Sequence, residues 1–158
     1  LLFDWEWQIL RGFGKLGIKI GSGIYSASGK GLFKDGTPAR ETYNFMMFPN
    51  NASVVYRLQY KDRQVIVPYL EGGAGYFTFA ELRSDGQKNR FGAAPVGVGA
   101  AGFGFLLDKI DPATMAELDV ENGINHIYLT AELRAFVGLN KDFDFTSTMI
   151  NGGFTFEF

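Results

Sequence analysis

The chain of 158 residues contains no cysteine, which excludes a disulfide framework, a thiolate nucleophile and a sulfur-ligated metal site. Its formal charge of -2, from 15 Lys and Arg against 17 Asp and Glu, supplies no basic excess, so we expect no nucleic-acid partner. The 21 glycines and the 16% aromatic content indicate a β protein, because glycine is unfavourable within helices.

Two amphipathic strands are predicted first along the chain. Over residues 3–10, aromatic and aliphatic residues alternate with Glu6 and Gln8, and over residues 16–25 a similar apolar series alternates with Lys19 and glycines. Alternation with a period of two gives a strand one apolar face and one polar face. Both segments therefore have the pattern of a half-buried β-strand.

The segment at residues 26–50 leaves two interpretations open. If it is one long excursion from the sheet, only seven strands are visible and the first strand of the fold lies upstream of this sequence. If residues 41–48 form a strand of their own, the total is eight. We expect an eight-stranded architecture in both cases.

Three further strands follow, and the last of them is uncharged and rich in glycine. Frequent glycine suits a curved strand better than a membrane-spanning helix. A second glycine-rich run, at residues 72–75, is followed by neither a helix pattern nor a Lys-Ser/Thr pair, so close strand packing explains it better than a phosphate-binding loop. The predicted strands are residues 52–60, 65–80 and 92–107, joined by a turn at 61–64 and a polar loop at 83–90.

The connection at residues 108–123 has the pattern of a helix. Pro112 stands near its start and Gly123 at its end, and Met115 and Leu118 are spaced like one helix face. Its acidic residues do not match the spacing of an EF-hand loop. We therefore expect a solvated helix and no bound metal ion.

The clearest strand is predicted at residues 124–139, and another at residues 143–158 follows a hairpin at residues 140–142. A strand of 16 residues is far longer than the mean of about five to six in soluble proteins. Tilted strands that cross a membrane need about 9–11 residues, and they extend further into loops. The strand length therefore favours a membrane protein.

Alternation alone fits two kinds of barrel, a membrane barrel with its apolar face outward and a lipocalin-like barrel with that face inward. Strand length, aromatic residues near predicted strand ends and a final aromatic residue favour the membrane. We predict an all-β fold of a single domain, residues 1–158: an antiparallel up-and-down transmembrane β-barrel of about eight strands with a short helix. The aromatic residues near strand ends are Trp5, Trp7, Tyr25 and Tyr60.

Several charged residues share the strand face that points into such a barrel. An eight-stranded barrel is only just wide enough to be filled by side chains. Charges of both signs should therefore pair inside it, and this interpretation is favoured over an ion path along Glu132 and Arg134. We predict a lumen-lining polar network of Lys19, Arg57, Glu71, Glu132 and Arg134.

The C-terminal residues Phe154, Phe156 and Phe158 resemble the membrane-insertion signature with which outer-membrane β-barrels of Gram-negative bacteria end. Residues 54–60 and 67–79 also resemble the corresponding region of the eight-stranded outer-membrane protein W and protein A type barrels. The resemblance implies a bacterial outer-membrane location and a periplasmic position for the helical connection. It further implies, as partners, outer-membrane lipids, lipopolysaccharide and the barrel-insertion machinery, and it implies no cofactor.

Three functions remain open, and the preferred one is non-enzymatic. In that interpretation the barrel is a structural anchor or interaction protein that contacts a periplasmic or outer-membrane protein partner. The first alternative is a porin-like channel or transporter for small, including apolar, molecules. The second is a lipid A-modifying enzyme with His126 as its base, but no serine lies near this only histidine in the sequence. We therefore predict no catalytic residue.

Overall fold

The computed structural model describes residues 1–32, 38–61, 63–83, 89–140 and 145–158, and it contains one antiparallel sheet and one short helix. The predictions of an all-β antiparallel fold, of eight strands and of a short helix are confirmed. The strands are β1 (Leu2–Gly12), β2 (Gly14–Gly23), β3 (Tyr25–Leu32), β4 (Pro38–Arg57), β5 (Ile66–Arg83), β6 (Arg90–Leu106), β7 (His126–Gly138) and β8 (Ser147–Glu157), and the helix is α1 (Pro112–Asn122).

The eight strands occupy only seven positions in the sheet. β2 pairs with residues 50–57 of β4, and β3 pairs with residues 38–47 of the same strand. β2 and β3 therefore lie end to end along one side of β4, separated by Ile24. Much of the segment 26–50, which the sequence left open, is thus β3 and the first half of a 20-residue strand. The predicted loops at 83–90 and 140–142 lie partly outside the described residues.

The sheet does not close into the predicted barrel within the part of the chain that the structure describes. Its order is β1-β2-β4-β5-β6-β7-β8, and no backbone pairing joins β8 to β1. All six successive pairings along this path are antiparallel, so β1 and β8 run in the same direction. Two edges of the same direction cannot continue the antiparallel hydrogen-bond pattern by pairing with each other.

The sheet is curled, and its two ends differ. The turn at Phe13, the turn between β4 and β5, helix α1 and Phe158 lie at one end, here called the α1 end. Leu1 lies at the opposite end, here called the Leu1 end, where its carbonyl oxygen accepts a hydrogen bond of 3.0 Å from the amide of Ile24. The first and last residues therefore lie at opposite ends, because the chain crosses the sheet an odd number of times.

The middle of the inward face of the curled sheet is charged, and the outward face is apolar. Inward-facing Arg134 is 1% exposed and Glu71 is 6% exposed, whereas outward-facing Trp5 is 57% exposed and Ile150 is 86% exposed. Charged residues are almost never fully buried in soluble proteins unless they are paired. Paired charges therefore lie in the middle of the inward face, and large apolar side chains lie on the outward face.

Apolar clusters lie on the inward face towards both ends. Towards the Leu1 end, the rings of Phe77 and Phe136 meet edge to face at 4.8 Å between centroids and pack with Val96 and Val98. The charged middle of β5 and β7 lies between this cluster and a second one towards the α1 end. That second cluster consists of Val67, Leu106 and Tyr128.

Helix α1 is stabilised mainly by its own ends. Asp111 accepts a hydrogen bond of 3.1 Å from the amide of Thr114, which satisfies one of the free donors at the helix start. Gly123 ends the helix with φ of 68°, a left-handed conformation that glycine adopts without strain. No residue of the helix is buried. In the described residues, no helix is long and apolar enough to cross a membrane.

Candidate functional site

The middle of the inward face carries a group of ion pairs around Glu71. Its carboxylate pairs with the ammonium of Lys19 and lies 3.5 Å from Nη2 of Arg134, and it accepts a hydrogen bond of 2.7 Å from the hydroxyl of Ser53. Asp4 completes the group, with Oδ2 at 3.0 Å from Arg134 Nη2 and 3.2 Å from Lys19 Nζ. Residues from β1, β2, β4, β5 and β7 therefore meet at one place.

Glu132 extends this group towards the α1 end. It accepts hydrogen bonds from the hydroxyl of Tyr69 at 2.8 Å and from the side-chain amide of Asn151 at 3.0 Å. Arg134 Nε lies 2.8 Å from Glu132 Oε1 but is not oriented to donate a hydrogen bond to it. We count the contact as an ion pair, because attraction between opposite charges does not need that alignment.

Two further ion pairs lie on the same face. Arg57 donates through Nε and Nη2 to the carboxylate of Glu6, with the shortest contact at 2.5 Å, and its guanidinium lies 5.0 Å from the centroid of the Tyr69 ring. Lys15 pairs with Glu157, whose Oε1 also accepts a hydrogen bond of 3.1 Å from Gln8 Nε2. The second pair joins β2 to β8, so the charged groups span the space between the two sheet edges.

Glycines opposite these side chains leave the room that the network occupies. A Cβ atom on Gly102 would lie 2.7 Å from the Tyr69 hydroxyl and 2.7 Å from the carbonyl oxygen of Ala131. In the run at residues 72–75, a Cβ on Gly73 would collide with the backbone of β4. Gly73 therefore allows β5 to pack closely against β4, which is the interpretation that the sequence favoured for this run.

The network is nearly neutral and internally paired. Four bases, Lys15, Lys19, Arg57 and Arg134, face five acids, Asp4, Glu6, Glu71, Glu132 and Glu157, and each has a partner of opposite charge. Such groups neutralise one another, and removal of one partner would leave a buried charge uncompensated. The arrangement can therefore fill and stabilise the interior, and it offers no unpaired base or acid to a substrate.

All five residues predicted for the lumen belong to this network. Sequence reasoning also placed Glu6 and Gln8 on the inward face of the first strand, but it missed the contributions of Asp4, Lys15 and Tyr69. The sequence does contain a signal for them, because residues an even number of positions apart share one face of a strand. Asp4 stands two residues from Glu6, Lys15 four from Lys19, and Tyr69 two from Glu71.

Around the single histidine, the described contacts are structural. His126 Nδ1 lies 2.6 Å from Oδ2 of Asp108, whose other oxygen accepts a hydrogen bond of 3.1 Å from the amide of Ile127. Asp108 thereby fixes the chain where β7 begins. No serine, threonine or tyrosine hydroxyl donates to His126 among the described contacts, so a nucleophile for a triad is missing there.

Metal ligands are not clustered in the described residues, where no group of three or more His, Asp or Glu side chains could hold an ion. The aromatic residues of the predicted insertion signature lie on the outward face of β8 and beyond its end. Their exposed fractions are 62% for Phe154, 50% for Phe156 and 67% for Phe158.

An open cavity of about 1970 Å³ lies along the space between the β1 and β8 edges and reaches side chains of the inward face. Outward-facing residues of both edges, such as Trp5 and Phe154, line it together with inward-facing Glu132 and Asn151. The cavity therefore opens sideways, through the slot between β1 and β8.

Comparison with protein-family models, with curated proteins and with solved structures gives no significant match.

Proposed function

We propose that the chain is an integral β-barrel-type protein of a bacterial outer membrane, and that it acts as a non-enzymatic anchor or interaction protein. The observation that carries this proposal is the inverted distribution of polarity. Nine paired charges lie on the inward face, while large apolar side chains cover the outward face.

The energetics of the two faces favour lipid over water as the outer solvent. Burial of a Val, Leu, Ile or Phe side chain contributes about 1.5–3 kcal/mol, and the outward face leaves many such side chains unburied. Contiguous exposed apolar patches beyond a few hundred Å² mark membrane or protein contacts. In a bilayer the same side chains meet acyl chains, and the charged groups stay away from lipid.

The outer membrane, as the specific location, is supported by the resemblance of the last strand. Phe154, Phe156 and Phe158 follow the alternation with which such barrels end, and all three are exposed. Outer-membrane lipids, lipopolysaccharide and the barrel-insertion machinery are the partners that this resemblance implies. Helix α1 would then lie in the periplasm, where its unburied surface is free for a protein partner.

The absence of a wide pore is part of the proposal. The ion pairs of the network join side chains of six strands across the interior, and clusters of apolar residues lie towards both ends. An interior filled in this way would conduct ions poorly.

The test is folding from urea into phospholipid vesicles. We expect the chain to float with the vesicles, to migrate differently on gels with and without boiling, and to resist protease except near α1. A chain that folds in buffer alone and stays with the aqueous fraction would contradict the membrane proposal. Planar-bilayer recordings should show no steady conductance.

A second function, passage of small apolar molecules, is favoured by the cavity that opens between β1 and β8. Its prediction is saturable quenching of the Trp5 and Trp7 fluorescence by an apolar ligand such as a fatty alcohol, since both rings line the cavity. Unchanged fluorescence in vesicle-inserted protein would exclude this alternative.

A further inference from the structure

We propose that the slot between β1 and β8 is a binding site for one further β-strand, a single extended segment of polypeptide that runs antiparallel to both edges. The inference rests on the proposed membrane function and deepens it, because it names the element that completes the sheet around the interior. It also assigns the direction, the length and the side-chain pattern of the occupant.

The direction follows from the topology. β1 and β8 both run from the Leu1 end to the α1 end, because six antiparallel pairings separate them. One strand that runs the opposite way can pair antiparallel with both edges at once. In a second copy of the chain in the same membrane orientation, the edges of β1 and β8 run parallel to these, and the antiparallel edge of β3 lies beyond the Leu1 end of the slot, so a second copy does not fit.

The need for an occupant follows from hydrogen bonding. The outer edges of β1 and β8 carry backbone amides and carbonyls that no strand pairing satisfies in the described chain. In lipid each such group costs several kcal/mol, so the open edges destabilise the inserted chain and a strand that covers them stabilises it. Gln8 adds a side-chain group, because its Oε1 atom is shielded from solvent and has no hydrogen-bond partner.

The width of the slot is limited by contacts that already cross it. The side-chain amide of Gln8 on β1 reaches the carboxylate of Glu157 on β8 at 3.1 Å, and Arg134 on β7 reaches Asp4 on β1 at 3.0 Å. Side chains therefore bridge the edges while their backbones stay unpaired. A strand lies about 4.8 Å from each of its neighbours in a sheet. One strand is therefore the element of polypeptide that suits a gap bridged by side chains from both sides.

The chemistry of the occupant follows from its two surroundings. β1 and β8 are each 11 residues long, so the occupant is a strand of about that length. Its outward side chains continue the apolar surface of Trp5 and Phe154, and its inward side chains are small or hydrogen-bonding, with a donor for Gln8 Oε1. Alternation of this kind is the pattern of a membrane-barrel strand.

Disulfide trapping tests the direction, since the chain has no cysteine of its own. The probe is a synthetic 11-residue peptide of alternating Val or Leu and Thr or Asn, with one cysteine near either end. Ile150→Cys lies towards the Leu1 end of β8 and Phe156→Cys towards the α1 end, both facing outward. In vesicles, the C-terminal cysteine should link to Ile150→Cys and the N-terminal one to Phe156→Cys.

The swapped pairs provide the matched control and should link at least about tenfold more slowly. Equal rates, or faster linking of the swapped pairs, overturn the proposal. Predominant links between two protein chains also overturn it and assign the slot to a second copy. Vesicle flotation of the same samples distinguishes the two proposals. If the chain inserts but no peptide links to it, the proposed strand site is wrong and the membrane function stands. If the chain does not insert, the proposed membrane function is wrong.

A second measurement uses the unmodified chain. Saturating peptide should slow amide hydrogen exchange at the slot-facing positions of β1 and β8 at least about tenfold. The same peptide with proline at three central positions should not, because proline lacks the amide needed for pairing. Unchanged exchange with the first peptide, or equal slowing by both, overturns the proposal.

Discussion

Arg134 and Asp4 lie 130 residues apart in the chain, yet Nη2 of the guanidinium is 3.0 Å from Oδ2 of the carboxylate. The two residues stand on β7 and β1, which are far apart along the order of the sheet. Their contact shows that the sheet curls until its first and seventh strands share one interior. The same arginine reaches Glu71 and Glu132, so it connects three acids from three strands.

Replacement of Arg134 should therefore destabilise the fold strongly. In Arg134→Met, the carboxylates of Asp4, Glu71 and Glu132 retain only Lys19 as a common base nearby. Removal of one partner from a buried ion pair costs about 3–5 kcal/mol, because the remaining charge is uncompensated. Urea unfolding in micelles, followed by tryptophan fluorescence, measures the loss.

The control for this prediction is a double variant. Adding Glu132→Gln to Arg134→Met removes the carboxylate whose described ion pair was with Arg134, so it should recover part of the lost stability. If the two substitutions simply add, the residues are not coupled and the ion-pair network does not stabilise the interior.

Gly102 provides a test of how tightly the interior is packed. In Gly102→Ala, the new methyl group would lie 2.7 Å from both the Tyr69 hydroxyl and the backbone oxygen of Ala131, and the latter cannot rotate away. Overpacking of this kind typically costs about 1–3 kcal/mol. Gly72→Ala, on the neighbouring strand β5, is the matched control, because its methyl group would meet nothing within 4 Å. Equal midpoints of urea unfolding for the two variants would show that the Tyr69 side of the interior is loosely packed.

Much of the architecture could be predicted from period-two alternation, and the failures have physical causes. β7 alternates without interruption, so its limits and its inward residues Glu132 and Arg134 were evident. The limits of α1 were marked by Pro112 and Gly123. Residues 26–50 were ambiguous, because β4 continues through Pro49 and two asparagines, residues that usually mark turns.

The candidate site was predicted in part for the same reason. Lys19 and Glu71 stand alone among apolar or small neighbours, which makes their face easy to assign. On β1, the pairing with β2 shifts between Gln8 and Leu10, so a strict alternation assigns Arg11 to the wrong face. Closure could not be predicted at all, since the direction of the two edges depends on how β2 and β3 share β4.

Asp111 makes helix α1 sensitive to acid. Hydrogen bonds from the hydroxyl and the amide of Thr114 hold the pKa of Asp111 below its usual value of 3.8. A lowered folded-state pKa means that the cap contributes stability above pH 3.8, and that this contribution is lost as the pH falls through the folded pKa. Protection of the α1 amides against hydrogen exchange, measured relative to the intrinsic rate at each pH, should therefore fall in acid.

Variants of Asp111 separate the cap from a general acid effect. Asp111→Ala should show low protection of the α1 amides at every pH, whereas Asp111→Asn should keep high protection without the acid dependence, because asparagine also caps helices. An unchanged acid dependence in Asp111→Asn would assign the effect to another group.

A lysine on the outward face distinguishes lipid from water as the solvent of that face. Leu133 is 54% exposed and lies near the middle of β7, where it pairs with Ile150, so under the membrane proposal it faces the bilayer core. Leu133→Lys should then destabilise the folded protein in vesicles, with a free energy of unfolding lower by about 2–4 kcal/mol. Val120→Lys is the control, because Val120 is 85% exposed on α1, outside the sheet. If Leu133→Lys folds as stably as Val120→Lys, the outward face of the sheet is in contact with water and the membrane proposal fails.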